Sequence, residues 1–237
     1  MKYYFLFFLL FILSCDSDDN SSTFKNTFVD RITTTDANGN VEKVIDYIYD
    51  INDLKEISET NSNGETFIST LNYDNEGEVT SISFNDGTEV FYNYGLFYGN
   101  LIESTIEING TTIKHRYDYD QLQLISDKKY ENDVLVCEIN YTYDGLTINS
   151  TNSCTSESLI IERDQTTVSP LVTVYNYQLL NINNIGSRNI TSILNIDTNE
   201  FTEFIYNEFN DRNLVLNKKK YVNGELTNII EYEYDLR

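Results

Sequence analysis

The sequence predicts an all-β fold, an antiparallel meander of hairpin repeats curled into a roll or partial barrel. Tight-turn dipeptides recur at Asn38-Gly39, Asn63-Gly64, Asp86-Gly87, Asn109-Gly110 and Asn132-Asp133, in steps of 25, 23, 23 and 23 residues, and Asn223-Gly224 resumes the pattern late. A second mark lies between them at Tyr49-Asp50, Tyr73-Asp74, Tyr119-Asp120, Tyr143-Asp144 and Tyr234-Asp235, with Tyr94-Gly95 and Tyr206-Asn207 as weaker copies. The runs between marks alternate at period two, so that Val41, Ile45, Tyr47 and Tyr49 share a face, as do Leu135, Ile139, Tyr141 and Tyr143, and Leu226, Ile230, Tyr232 and Tyr234. Each period therefore holds two strands and two turns, roughly 12 to 16 strands in all.

The first residues set the compartment. MKYYFLFFLLFILSC carries one basic residue, Lys2, and an apolar run too short to span a bilayer but suited to the core of a secretory signal. Ile12-Leu13-Ser14-Cys15 resembles the lipobox of bacterial lipoproteins, which implies removal of residues 1–14 and acylation of Cys15 as the mature N-terminus. Acyl chains contribute about 0.8 kcal/mol per buried CH₂, so the two or three that the resemblance implies hold a soluble domain on a membrane. Residues 15–27 are polar and acidic and read as a tether. The acids behind the cysteine, Asp16, Asp18 and Asp19, resemble the export signal of surface lipoproteins in Bacteroidetes-type bacteria. The expected location is the outer membrane, at the cell surface, with the periplasmic face as the alternative.

Residues 28–237 form one domain. Forty per cent hydrophobic content with 19 tyrosines and 13 phenylalanines supplies enough apolar surface to fold despite a formal charge of −22. That charge repels nucleic acid. Asn-Gly and Asp-Gly accept the positive φ of type I′ turns, and the aspartate of Tyr-Asp bonds its own backbone to start a longer turn. Twelve of the 19 tyrosines sit in Tyr-x-Tyr pairs, which places each pair on one side of the sheet. Such rings form a half-buried skin over the core, or an exposed ladder able to bind glycans. Residues 151–200 contain the only proline, Pro170, and lose the rhythm, as an irregular insertion or a degenerate repeat; a helix around Leu179–Ile185 is the one competing element.

Tyr-Asp followed by a polar turn, an apolar run and a glycine turn resembles the YD repeat of Rhs-type proteins, over roughly residues 30–150 and 200–237. With the lipobox, the chain is similar to YD-repeat lipoproteins of Bacteroidetes, a family of unknown function. The resemblance implies a curled β-sheet and no particular chemistry.

No catalytic motif is present. The single histidine, His115, lies in an alternating strand and reads as a packed residue, and neither a nucleophile elbow nor a metalloprotease motif occurs. DANGN and DNEGE resemble fragments of calcium loops but lack the full ligand spacing, so no metal and no cofactor is expected. The function expected is noncatalytic binding of a glycan or an envelope protein on a β-sheet platform; the alternative is a carbohydrate-active hydrolase using a carboxylate pair.

Cys137 and Cys154 flank Tyr143-Asp144-Gly145. A four-residue loop at 144–147 pairs Tyr143 with Ile148 and sets the two cysteines opposite each other, whereas a two-residue Asp-Gly loop sets Cys154 opposite Leu135. Opposed strand residues have Cβ atoms about 4.5 to 5.5 Å apart against about 3.8 Å in a disulfide, so the first register accommodates a bridge with modest adjustment. A disulfide between them is expected in an oxidising compartment.

Overall fold

The computed structural model describes residues 27–51, 53–95, 100–120, 123–168 and 188–236. The leader, Cys15 and its three aspartates, and the possible helix at Leu179–Ile185 lie outside these residues. Sixteen strands follow in order: β1 (Thr27–Asp36), β2 (Val41–Asp50), β3 (Asp53–Asn61), β4 (Thr66–Tyr73), β5 (Val79–Phe84), β6 (Glu89–Tyr94), β7 (Leu101–Ile108) and β8 (Thr111–Asp120). The second half is β9 (Gln123–Glu131), β10 (Val134–Asp144), β11 (Thr147–Asn152), β12 (Glu157–Val168), β13 (Arg188–Asn195), β14 (Glu200–Phe209), β15 (Val215–Val222) and β16 (Glu225–Leu236). Each pairs antiparallel with its sequence neighbours, and β1 pairs with β16. The meander is thus a closed barrel, where the sequence suggested a roll or partial barrel. Closure pairs the two edge strands that an open roll would leave exposed.

Period-two alternation separates the two faces. Inside, Tyr47, Tyr49, Leu54, Leu71, Val79, Tyr117, Tyr141, Ile148 and Tyr232 belong to one buried cluster concentrated toward the Tyr-Asp end of the strands. Outside, the wall carries cross-strand ion pairs such as Arg31–Asp46 at 2.5 Å, Arg116–Glu103 at 3.0 Å and Lys128–Asp118 at 2.6 Å. The interior is apolar toward the Tyr-Asp end and carries charged side chains toward the glycine turns, and the outer wall mixes its ion pairs with exposed Ile48, Phe91 and Ile205. No helix among the described residues is long and apolar enough to cross a membrane.

One device repeats around the Tyr-Asp end. Most odd-numbered strands open with an aliphatic residue, Val29, Leu54, Val79, Leu101, Leu124, Ile190 or Val215, after which the register slips by one residue. A slip of this kind is a bulge, which bends the strand and interrupts the ladder. The tyrosine of the next mark reaches across and donates its hydroxyl to the carbonyl of that aliphatic residue: Tyr49 to Val29, Tyr73 to Leu54, Tyr94 to Val79, Tyr143 to Leu124, Tyr206 to Ile190 and Tyr234 to Val215, at 2.5 to 2.9 Å. Buried backbone carbonyls need a partner, and the phenol supplies it where the ladder is broken. The paired tyrosines among the described residues therefore line the interior and are not an exposed ladder, and the pair Tyr175 and Tyr177 lies outside those residues.

The opposite end turns on two loop types. Asn109-Gly110, Asn132-Asp133 and Asn223-Gly224 have positive φ at both residues, as a type I′ turn requires. At Asn38-Gly39 only the glycine does, with φ 86°. There Gly39 N–H bonds the Asp36 carbonyl, and the Asp36 carboxylate accepts the N–H groups of Asn38 and Asn40. Asn61 caps the Asn63-Gly64 loop in the same way. An Asx residue before the turn thus supports a loop one residue longer than type I′, and the expectation of type I′ at every mark is corrected at these sites.

Bulges near this end also move three residues off the predicted face. Val41 pairs with Thr35, Leu135 with Tyr130 and Leu226 with Tyr221, each on the outer wall. Within 151–200, the described residues continue the meander as β11–β14.

Candidate functional site

His115 faces the interior from β8, opposite Ser104 on β7 and Lys129 on β9. One pair further along β8, Tyr117 stands opposite Asp127. The His115 Nδ1 lies 2.9 Å from the Asp127 carboxylate, and the Ser104 and Tyr117 hydroxyls are 2.9 Å apart. Ser104 and Asp127 are buried, whereas the His115 side chain is about one-third exposed. Burial raises the Tyr117 phenol well above its ordinary range, which keeps it a neutral hydrogen-bonding group. The cluster brings a serine, a histidine and an aspartate together, yet the serine hydroxyl is engaged by tyrosine and not by imidazole. Its geometry is that of a satisfied interior network.

Two other inward acids are paired with cations, and a third, Glu157, accepts hydrogen bonds from Asn195 and Thr155. Glu59 pairs with Lys43 at 3.5 Å and Glu131 with Lys129 at 2.9 Å. Among the described residues no group of three or more histidine, cysteine or acidic side chains is arranged to hold a metal. The Asp36 carboxyl, which a calcium loop would turn toward a cation, is held below its ordinary pKa by hydrogen bonds from Asn40 and from the backbone of its own turn. Ser104 and Asp127 were not singled out in the sequence. The signal for them is the pairing that the Asn109-Gly110 turn imposes, which sets Ser104 opposite the one histidine.

At the end of the barrel carrying the glycine turns, large apolar side chains are exposed. Phe67, Ile108, Val134, Leu135, Val136, Ile196 and Phe201 all lie within a few residues of a turn, and three of them are consecutive. Nearby, Cys137 and Cys154 are joined by a disulfide, with Cα atoms 5.1 Å apart. The register there pairs Tyr143 with Ile148 and Asp144 with Thr147. A rim of exposed hydrophobic residues above a polar wall is a surface suited to contact.

Neither a protein-family model nor a curated protein matches the chain. Solved structures do. A porin-like protein from Bacteroides uniformis superposes with a TM-score of 0.62 at 14% identity, over 87% of this chain and 96% of that one. A porin-like protein from Bacteroides vulgatus gives 0.50 at 12% identity, over 87% and 98%. The likeness is one of fold and extends over most of each chain. The outer wall of this chain differs from that of a barrel that spans lipid, which needs an outward apolar band about 25 Å tall. Glu103, Asp118, Arg116 and Lys128 occupy that wall here.

Proposed function

We propose that the protein is a noncatalytic outer-membrane lipoprotein, anchored through acylated Cys15 and displayed at the cell surface, that binds another envelope protein through the rim of glycine turns. The carrying observation is the exposed apolar rim on a barrel with a polar, ion-paired wall. Such a wall disfavours burial in hydrocarbon, because each charged outward side chain costs about 2 to 4 kcal/mol at the bilayer midplane. A lipid tether then holds the barrel beside the membrane. Hydrophobic rim residues favour a protein partner over a glycan, since the tyrosines that stack sugars elsewhere are turned inward and bonded to carbonyls. The repeat of tyrosine, bulge and carbonyl supports reading the period as a YD-type repeat.

Three experiments test this reading. Cys15→Ala should release a folded barrel into the aqueous fraction without detergent; retention in membranes would show that the barrel itself inserts. Proteinase treatment of whole cells should cleave the protein, and neutralising Asp16, Asp18 and Asp19 should protect it. For the rim, Val134→Asp with Val136→Asp should abolish recovery of a partner crosslinked on intact cells. Undiminished recovery would refute the rim, and loss of a bound activity in His115→Ala with recovery unchanged would favour the hydrolase.

A further inference from the structure

Strand β15 turns Lys218 and Lys220 to the interior. Lys218 stands opposite Tyr206 on β14 and Ile230 on β16, and Lys220 opposite Phe204 and Asn228. The Lys218 Nζ lies 5.3 Å from the centre of the Phe204 ring and 5.7 Å from that of Tyr232. Both lysines are half-buried, so solvent reaches them. The inward lysines Lys43 and Lys129 each hold a glutamate. Lys218 and Lys220 have no carboxylate within ion-pair distance among the described residues. That is unexpected in a chain with 38 acidic and 16 basic residues. A partly desolvated ammonium without a counter-charge is unfavourable, and the aromatic faces beside it compensate only in part.

We propose that the inward face of β14–β16 is a binding site for an acidic ligand with an apolar body, its sulfonate, carboxylate or phosphate on Lys218 and Lys220 and its body against the half-buried rings of Phe204 and Tyr206. The incoming anion supplies the charge that the barrel withholds, and the rings supply a flat apolar wall. The lysines fix which end of the ligand points where. This site is separate from the rim and does not depend on the rim having a partner.

Anilinonaphthalene sulfonate, an anionic aromatic probe, and uncharged phenylnaphthylamine test it on the mature chain. The sulfonate should bind saturably at one site, and Lys218→Met or Lys220→Gln should each weaken it roughly tenfold, the scale of one lost charge-assisted contact. Phenylnaphthylamine should change by less than about twofold in the same variants, since the apolar wall remains. Lys219→Gln, on the outer wall between the two, should change neither probe. Burial lowers the Lys218 pKa to about 8, so sulfonate binding should weaken as pH rises through that value. Tyr206 and Tyr232, the titratable groups facing Lys218 from β14 and β16, stay uncharged there because burial raises both. Equal sulfonate affinity in the lysine variants, parallel losses for both probes, or binding unchanged across that pH range would each overturn the proposal. Melting curves of Lys218→Met confirm that the fold is retained, because an apolar replacement removes the desolvation cost.

Discussion

At the scale of single residues, the tyrosine of each Tyr-Asp mark matters for its hydroxyl as much as for its ring. Tyr94 donates to the carbonyl of fully buried Val79, and Tyr234 to that of fully buried Val215. Removing a phenol keeps the ring's apolar area and strands the carbonyl, a loss of about 1 to 3 kcal/mol. Tyr94→Phe and Tyr234→Phe are therefore expected to lower urea-unfolding stability by that amount, with the slope of the transition unchanged. Tyr221→Phe, on the outer wall, should stay within about 0.5 kcal/mol of the parent. Similar losses at all three positions would mean that the hydroxyls are not locking the bulges.

Among the elements, hairpins were legible in the sequence and bulges were not. Turn chemistry and alternation are written in residue types: Asn-Gly at the loop, aromatic and β-branched residues on one face. The residues bulged at the Tyr-Asp end are Asp30, Lys55, Thr80, Ile102, Ile125, Thr191 and Leu216, which share no chemical character, so no residue type announces them. Bulges at Glu42, Val136 and Thr227, near the glycine turns, are equally silent in the sequence and put Val41, Leu135 and Leu226 on the outer face. The same gap hid the interior network. Asp127 is one of 38 acidic residues, and only the full register shows that it meets His115. The cysteine hairpin offers a test at this scale. The bridge spans 17 residues of sequence, and closing a loop of that size stabilises by about 3 kcal/mol in the chain-entropy model. Thiol labelling of denatured, unreduced mature protein should find no free thiol, and Cys154→Ser should lower stability by about that amount. Two reactive thiols per chain would contradict the bridge.

For the whole molecule, closure joins β1 to β16, strands about two hundred residues apart, and no local pattern encodes a contact so distant. Closure nevertheless has a measurable consequence, because it gathers the inward tyrosines among the described residues into one buried and half-buried set. Burial pushes Tyr92, Tyr119 and Tyr143 up to about 12, and Tyr47, Tyr117, Tyr141 and Tyr232 higher still. In the unfolded chain these phenols titrate near 10. Above that pH the unfolded state releases protons that the folded state retains, so unfolding becomes progressively easier. Stability contributed by the neutral phenols is intact below pH 10 and declines as pH rises through 12. The denaturation midpoint should therefore fall steeply across this window, with phenolate absorbance appearing together with loss of the β-sheet circular dichroism signal. Repulsion within a chain of charge −22 also grows at high pH, but salt separates the two causes. At about 0.1 M salt, exposed charges more than about 10 Å apart are largely screened, whereas the cost of ionising a buried phenol is not. A decline that persists in high salt identifies the buried tyrosines as its source. Ionisation of Tyr47, Tyr117, Tyr141 or Tyr232 near pH 10 while the barrel remains folded would show that they are not enclosed.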